Sequence, residues 1–92
     1  MDKELVIVTV IGLDKTGIVA QISNSLAENN VNIEDISQTI LDNYFAMIML
    51  VDISKATKNF EELQQFLVDK GKEMNLDVKV QHEDIFKAMH RI

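Results

Sequence analysis

The segment Val8–Ile36, V-T-V-I-G-L-D-K-T-G-I-V-A-Q-I-S-N-S-L-A-E-N-N-V-N-I-E-D-I, constrains the fold more than any other part of the chain. A β-branched apolar strand runs into a loop bracketed by Gly12 and Gly17. That loop holds one carboxylate, Asp14, and delivers the chain to a helix with an apolar face. A second strand then opens at Val31-Asn32-Ile33. A helix N-terminus carries free backbone N–H groups and a partial positive charge, so it can hold a small anion. The layout predicts a protein that senses a small metabolite rather than one that transforms it.

The 92 residues are expected to form one domain spanning 1–92, of which 47% are apolar, ample for a globular core. A chain of this length buries roughly 60–65% of its unfolded surface, so its stability is marginal without further interface. No run approaches the ~20 apolar residues of a membrane span. Met1-Asp2-Lys3-Glu4 leads straight into strand without signal-peptide architecture, which points to the cytoplasm. There is no cysteine, and hence no disulfide framework and no thiolate chemistry. Nine basic against fifteen acidic residues give a net charge of −6, and Arg91 is the sole arginine. That balance argues against a nucleic-acid surface, whose affinity comes from Lys and Arg on phosphates.

Six elements and a tail are legible. Glu4–Ile11 is a near-continuous β-branched run, read as a central strand. The first helix runs from Gly17 to Glu28, with Ile18, Ile22 and Leu26 on one stripe and Val19 beside them. Asn29-Asn30 stops it, because Asn tolerates the left-handed conformation of a helix end. A second strand spans Val31 to about Leu41, and its apolar phase slips between Ile33 and Ile36, which predicts a bulge. Asp42-Asn43 is a turn, and Tyr44–Ile53 a third strand. The second helix covers about Phe60–Asn75, opened by an Asn59/Glu62 capping box, with Phe60, Leu63, Leu67 and Met74 facing inward and Phe66 beside them. Gly71 predicts an end or bend in that helix. Leu76–Val80 alternates as a half-buried edge strand. Residues 84–92 read as a short amphipathic helix, with Ile85, Phe86, Met89 and Ile92 at helical spacing.

The order βαββαβ predicts an α+β, ferredoxin-like sandwich: an antiparallel sheet in spatial order 4-1-3-2 with both helices on one face. Its central strands are apolar on both faces. Leu5, Ile7 and Ile11 oppose Val6, Val8 and Val10; Phe45, Met47, Met49 and Val51 oppose Tyr44, Ala46, Ile48 and Leu50. Two helices cover one face only, and a large exposed apolar patch is rare on a soluble monomer. The terminal helix can cover part of the open face, and a second protomer is expected to cover the rest, giving a homodimer.

With these residues in view, the chain resembles the ACT domain, a small ligand-binding regulatory fold. The matching pieces are I-G-L-D-K-T-G-I-V (Ile11–Val19), L-A-E-N-N (Leu26–Asn30) and V-N-I (Val31–Ile33). The resemblance covers essentially the whole chain. It is closest to stand-alone ACT proteins akin to the regulatory domains of the glycine-cleavage repressor and of phosphoserine phosphatases. Such proteins often carry Pro before the loop glycine, where this chain has Thr16. The resemblance implies an amino-acid-type effector held at a domain interface. The geometry agrees, because the Gly12–Gly17 loop and Asn32 fall at opposite ends of two parallel-running strands. A two-fold axis would bring Asn32 of the partner subunit beside the loop and create two symmetric sites.

Each candidate has a plainer reading. Asp14 either binds a ligand ammonium or caps the first helix. Gly12 and Gly17 either let backbone approach a carboxylate, together with the N–H of Ile18, or permit positive φ in a tight loop. Asn32 either bonds the ligand or bridges backbone groups. Ile33 is core, even where it lines a pocket. His82-Glu83-Asp84 lacks the i, i+4 histidine pair of a helical zinc site and reads as a solvated turn with Asp84 capping the helix that follows; His90 lies in the tail. Met47 and Met49 share one sheet face as packing residues. No serine lies in a nucleophile-elbow sequence. A phosphate-loop enzyme on the same fold would need an Arg where the loop offers only Lys15. RNA recognition would need basic and aromatic residues that Tyr44 and Phe45 do not supply on an acidic chain. The expectation is therefore a non-enzymatic regulatory domain without cofactor or metal, binding an amino acid or related small carboxylate and serving a regulated protein partner. The alternative is an interaction adaptor that uses the fold for assembly and binds no metabolite.

Overall fold

A computed structural model describes residues 2–85. Phe86, Met89, His90 and Ile92 of the expected terminal helix lie outside the described residues; residues 83–85 are helical and Ile85 is exposed. The elements are β1 (Leu5–Leu13), α1 (Ile18–Glu28), β2 (Asn32–Leu41), β3 (Tyr44–Asp52), α2 (Phe60–Glu73) and β4 (Leu76–His82). The sheet runs β2-β3-β1-β4, and every neighbouring pair is antiparallel. This is the βαββαβ sandwich expected from the element order, with the predicted 4-1-3-2 sequence of strands.

Alternation decides which side of each strand is inside. Val6, Val8 and Val10 of β1 and Phe45, Met47, Met49 and Val51 of β3 are buried beneath the helices, together with Val78 and Val80 of β4. Ile18, Ile22 and Leu26 of α1 and Leu63 and Leu67 of α2 close the same core from above. Each such side chain, fully buried, contributes about 1.5–3 kcal/mol. The anticipated slip in β2 is present as a register shift between Ile33 and Asp35 opposite β3.

Element ends follow from specific residues. Asn59 accepts from the Glu62 backbone N–H at 2.8 Å, and Glu62 returns the bond to the Asn59 N–H at 3.1 Å, so the capping box forms. Asn29 caps the end of α1 and Asn30 takes the left-handed turn at φ 58°. The buried Asn29 amide donates to the Ser25 carbonyl at 2.7 Å, and its oxygen accepts from Lys58 Nζ at 2.7 Å and from the Thr57 hydroxyl at 3.3 Å. One side chain thus ties the end of α1 to the segment before α2.

Some boundaries differ from expectation: β4 runs past Val80 to His82, which pairs with Val6, so His82 lies in the strand rather than in a solvated turn. β1 continues through Gly12 and Leu13, which pair with Phe45 and Tyr44, so the loop begins at Asp14. α2 passes through Gly71 to Glu73 without stopping. A Cβ on Gly71 would lie 2.4 Å from Cγ2 of Val78 and 3.1 Å from the Leu76 carbonyl oxygen. Gly71 therefore sets the close approach of α2 to β4 rather than ending the helix.

Candidate functional site

The loop between β1 and α1 is fixed at both ends. The Asp14 N–H donates to the Asn43 carbonyl at 2.7 Å, which ties the loop to the β2–β3 turn. Lys15 Nζ donates to the carbonyl of Met74, the C-cap of α2, where the helix dipole favours a cation. Gly17 is the N-cap of α1 at φ 90°, a conformation that favours glycine, and no side chain caps the helix. Asp14 therefore does not cap α1. Its carboxylate is exposed and makes no hydrogen bond or ion pair with the described residues. The first helical bond runs from the Gln21 N–H to the Gly17 carbonyl at 2.9 Å, so the amides that precede Gln21 at the start of α1 point out of the helix end. The Ile18 side chain is buried in the core and anchors that first turn.

Gly12 does not take the positive φ that a tight loop would ask of it. It sits within β1, and a Cβ there would meet Leu76 Cδ2 at 2.5 Å and the Asn75 carbonyl oxygen at 3.3 Å. Its small size seats the start of β4 against β1.

Asn32 lies at the far end of the sheet. It pairs with Asp52, which pairs with Leu5, whereas Gly12 pairs with Phe45. Seven strand positions separate the two levels, roughly 23 Å at the rise of a β-strand. One subunit keeps Asn32 away from the loop, as the strand directions required. Ile33 is half-buried against the core opposite Val51.

Around Asn32 the structure shows a cleft of about 680 Å³ lined by Lys3, Asn32, Glu34, Asp52, Ser54 and Lys55, among others. The volume is in the range of small-molecule sites. Glu34 accepts from Lys3 Nζ and, at 2.5 Å, from the Asn32 amide. The Lys3 bond, followed by the Asn32 bond, holds the Glu34 carboxyl below its ordinary value, and the same pair raises the Lys3 ammonium above its own. Asp52 accepts backbone N–H bonds from Ser54 at 2.9 Å and Glu4 at 3.1 Å, and Ser54 chiefly lowers its pKa. Lys55 makes no ion pair with the described residues, and the cleft lining as a whole carries two cations, Lys3 and Lys55, against two carboxylates, Glu34 and Asp52. Sequence reading found Asn32 but not Lys3, Glu34, Asp52 and Lys55. They are scattered over some fifty positions, and only the β1–β3–β2 register brings them together.

His82 pairs with Glu4 at 3.4 Å and stacks on Phe60 at 4.5 Å between ring centroids, which uses it in packing at the end of β4. Among the described residues, no group of three His, Cys, Asp or Glu side chains could hold a metal ion. No described helix is long and apolar enough to cross a membrane.

The chain is a βαββαβ sandwich with an open-ended strand–loop–helix turn and an amide at the start of β2. A family model described as the ACT domain matches residues 4–81, and the chain belongs to this family. It is 66% identical over 87 residues to a UPF0237 protein of Methanocaldococcus jannaschii, covering 95% of this chain and 97% of that one. Among solved structures, an ACT domain protein from Streptococcus pneumoniae superposes with TM-score 0.82 at 40% identity, covering 97% of this chain and all of the other. The regulatory subunit of aspartate kinase from Thermus thermophilus shares the fold, with TM-score 0.66 at 23% identity, over 87% of this chain and 52% of that one.

Proposed function

We propose that this chain is a non-catalytic regulatory domain of the cytoplasm that binds an amino acid or related small carboxylate between two copies of itself. One observation carries the reading: the groups suited to a zwitterion are divided between opposite ends of a single sheet. At one end stand the uncapped α1 terminus and the unpaired Asp14; at the other stands Asn32. The outer edge of β2 is unpaired, and Ile36 and Ile40 are exposed beside it. A two-fold axis that lays β2 along its own copy exchanges the two ends. It brings Asn32 of the partner subunit toward the Leu41–Asp14 end. The ligand carboxylate then meets N–H groups at Gly17 and Ile18, where the dipole favours an anion. Its ammonium meets Asp14, and Asn32 of the partner subunit completes the shell. That a structural neighbour is a regulatory subunit of an amino-acid kinase agrees with this ligand class. A change in the shape of the pair on binding is what a regulated protein partner would read.

The test is calorimetry with the twenty amino acids, followed by a mixed dimer of Asp14→Ala and Asn32→Ala subunits. Shared sites place both lesions in one site and leave the other intact, so half the sites bind normally. Equal impairment of every site rejects the shared geometry, and the absence of any binding amino acid leaves the fold to an assembly role.

A further inference from the structure

The face of the sheet opposite the helices carries Ile11, Leu13, Leu41, Tyr44 and Ile48, each between 47% and 76% exposed. The register joins them into one patch: Leu13, Tyr44 and Leu41 share a row, and Ile11 and Ile48 lie beside them across the β1–β3 ladder. Together they expose on the order of 550 Å², the upper range for the largest apolar patch of a monomer. We propose that a second copy of this chain packs on this face about a two-fold axis, sheet against sheet.

Area, reach and charge select that occupant. Thr9, Thr39 and Ala46 lie among the five, and adding them brings the face toward the ~800 Å² that each partner contributes to a stable interface. Residues 86–92 are a poor cover for it. They follow β4 where His82 pairs with Val6, roughly 23 Å along β1 from Leu13. Seven residues span at most about 25 Å fully extended, so they can reach Ile48, which lies opposite Thr9 about 10 Å along β1 from Val6, but cannot also cover the Leu13–Tyr44–Leu41 row. The Leu5–Ile7 end is within their range. Charge favours a copy over an unlike protein. No charged residue lies on this face from Ile7 to Leu13 or from Tyr44 to Leu50, so two chains of net charge −6 meet there without opposed charges. The flanking strands supply Asp35 on one side and Asp77 and Lys79 on the other, so a copy brings both signs to the rim. Ile36 and Ile40 belong to the opposite side of β2, so the sheet-face contact is separate from the β2 edge and does not rest on ligand binding. The patch also flanks the loop. Asn43, which accepts the Asp14 N–H, lies directly before Tyr44, so packing of the face bears on the loop that presents Asp14.

Ile48 is exposed at the centre of the sheet, so Ile48→Lys leaves the monomer fold intact by circular dichroism. In sedimentation equilibrium the substitution halves the mass of the assembly. The drop is from four chains to two where the β2 edge also pairs, and from two to one where it does not, so the failure of the ligand reading is distinguishable from the failure of this one. Tyr44→Glu gives the same result. Because the chain has no native cysteine, Ile48→Cys reports cover directly, and its thiol reacts at least tenfold more slowly in the associated chain than in the Tyr44→Glu background. A mass unchanged by both substitutions overturns the proposal. So does a monomeric wild type, whether the thiol introduced by Ile48→Cys is shielded until residues 86–92 are removed, which assigns the face to that segment, or freely reactive, which leaves it to another protein.

Discussion

Gly71→Ala sets two effects of opposite sign against each other, and the structure decides between them. In an exposed helix the change would stabilise by about 1 kcal/mol, because Ala loses less backbone entropy than Gly. At this position the new methyl would stand 2.4 Å from Val78 Cγ2, 3.1 Å from the Leu76 carbonyl oxygen and 3.2 Å from Val78 Cβ. Val78 is 4% exposed and β-branched, so it has little rotamer freedom with which to yield. The carbonyl belongs to the strand backbone and cannot move without shifting β4. Overpacking of this kind costs typically ~1–3 kcal/mol, and more where backbone must move. The steric term outweighs propensity, and the net expectation is destabilisation by about 1–2 kcal/mol. For a chain of this size that lowers the melting temperature by roughly 4–16 °C. Urea and thermal unfolding followed by circular dichroism would measure it, at fixed protein concentration because self-association shifts apparent stability. Val78→Ala alone destabilises by opening a cavity. Combined with Gly71→Ala it removes the 2.4 Å contact, so the double variant should be more stable than the sum of the two single effects. A raised melting temperature for Gly71→Ala, or strict additivity with Val78→Ala, would refute close approach as the reason for this glycine.

Three further outcomes follow from the same geometry. Asn29→Ala strips partners from Lys58, Thr57 and the Ser25 carbonyl at a buried site and should cost ~1–3 kcal/mol in urea unfolding. Asp14→Ala should weaken amino-acid binding in calorimetry while leaving the melting temperature within about 4 °C, because Asp14 does not cap α1 and exposed positions are nearly neutral. Acid should act through Glu34 and Asp52: their folded pKa values lie below 4.5 and 3.8, so the stability they add is present above those values and is lost as pH falls through the depressed ones. Lys3 works in the opposite sense, its contribution persisting below 10.5 and fading only as pH rises through its raised value. A melting curve against pH should therefore fall on acidification. Glu34→Gln should flatten part of that fall, and salt should reduce the difference, since both groups are exposed.

Much of the fold was legible because local chemistry and global topology agree. The β-branched runs, the Asn59–Glu62 cap, the Asn29-Asn30 stop and the phase slip after Ile33 are short-range signals, and each appears where the residues placed it. Two of the misplaced boundaries involve glycine. Gly12 and Gly71 suggested a loop and a helix end, the local meanings of glycine. Each instead makes room for a side chain of β4, Leu76 or Val78, that is distant in sequence or across a layer boundary. Gly17 alone kept its local meaning, at φ 90°.

The candidate site divides in the same way. The sequence by itself determined the strand–loop–helix unit, its single carboxylate and the amide that opens β2, because these are contiguous pieces whose conformations follow from their own residues. It also determined that both faces of β1 and β3 are apolar, and so that the two helices leave one face of the sheet uncovered. Only the tertiary structure decided which face the helices take and that Asp14 does not cap α1 and has no partner among the described residues. It alone gathered Lys3, Glu34, Asp52 and Lys55 into one cleft. These outcomes depend on strand register and on which atoms arrive within hydrogen-bond distance, and a periodicity of two fixes neither.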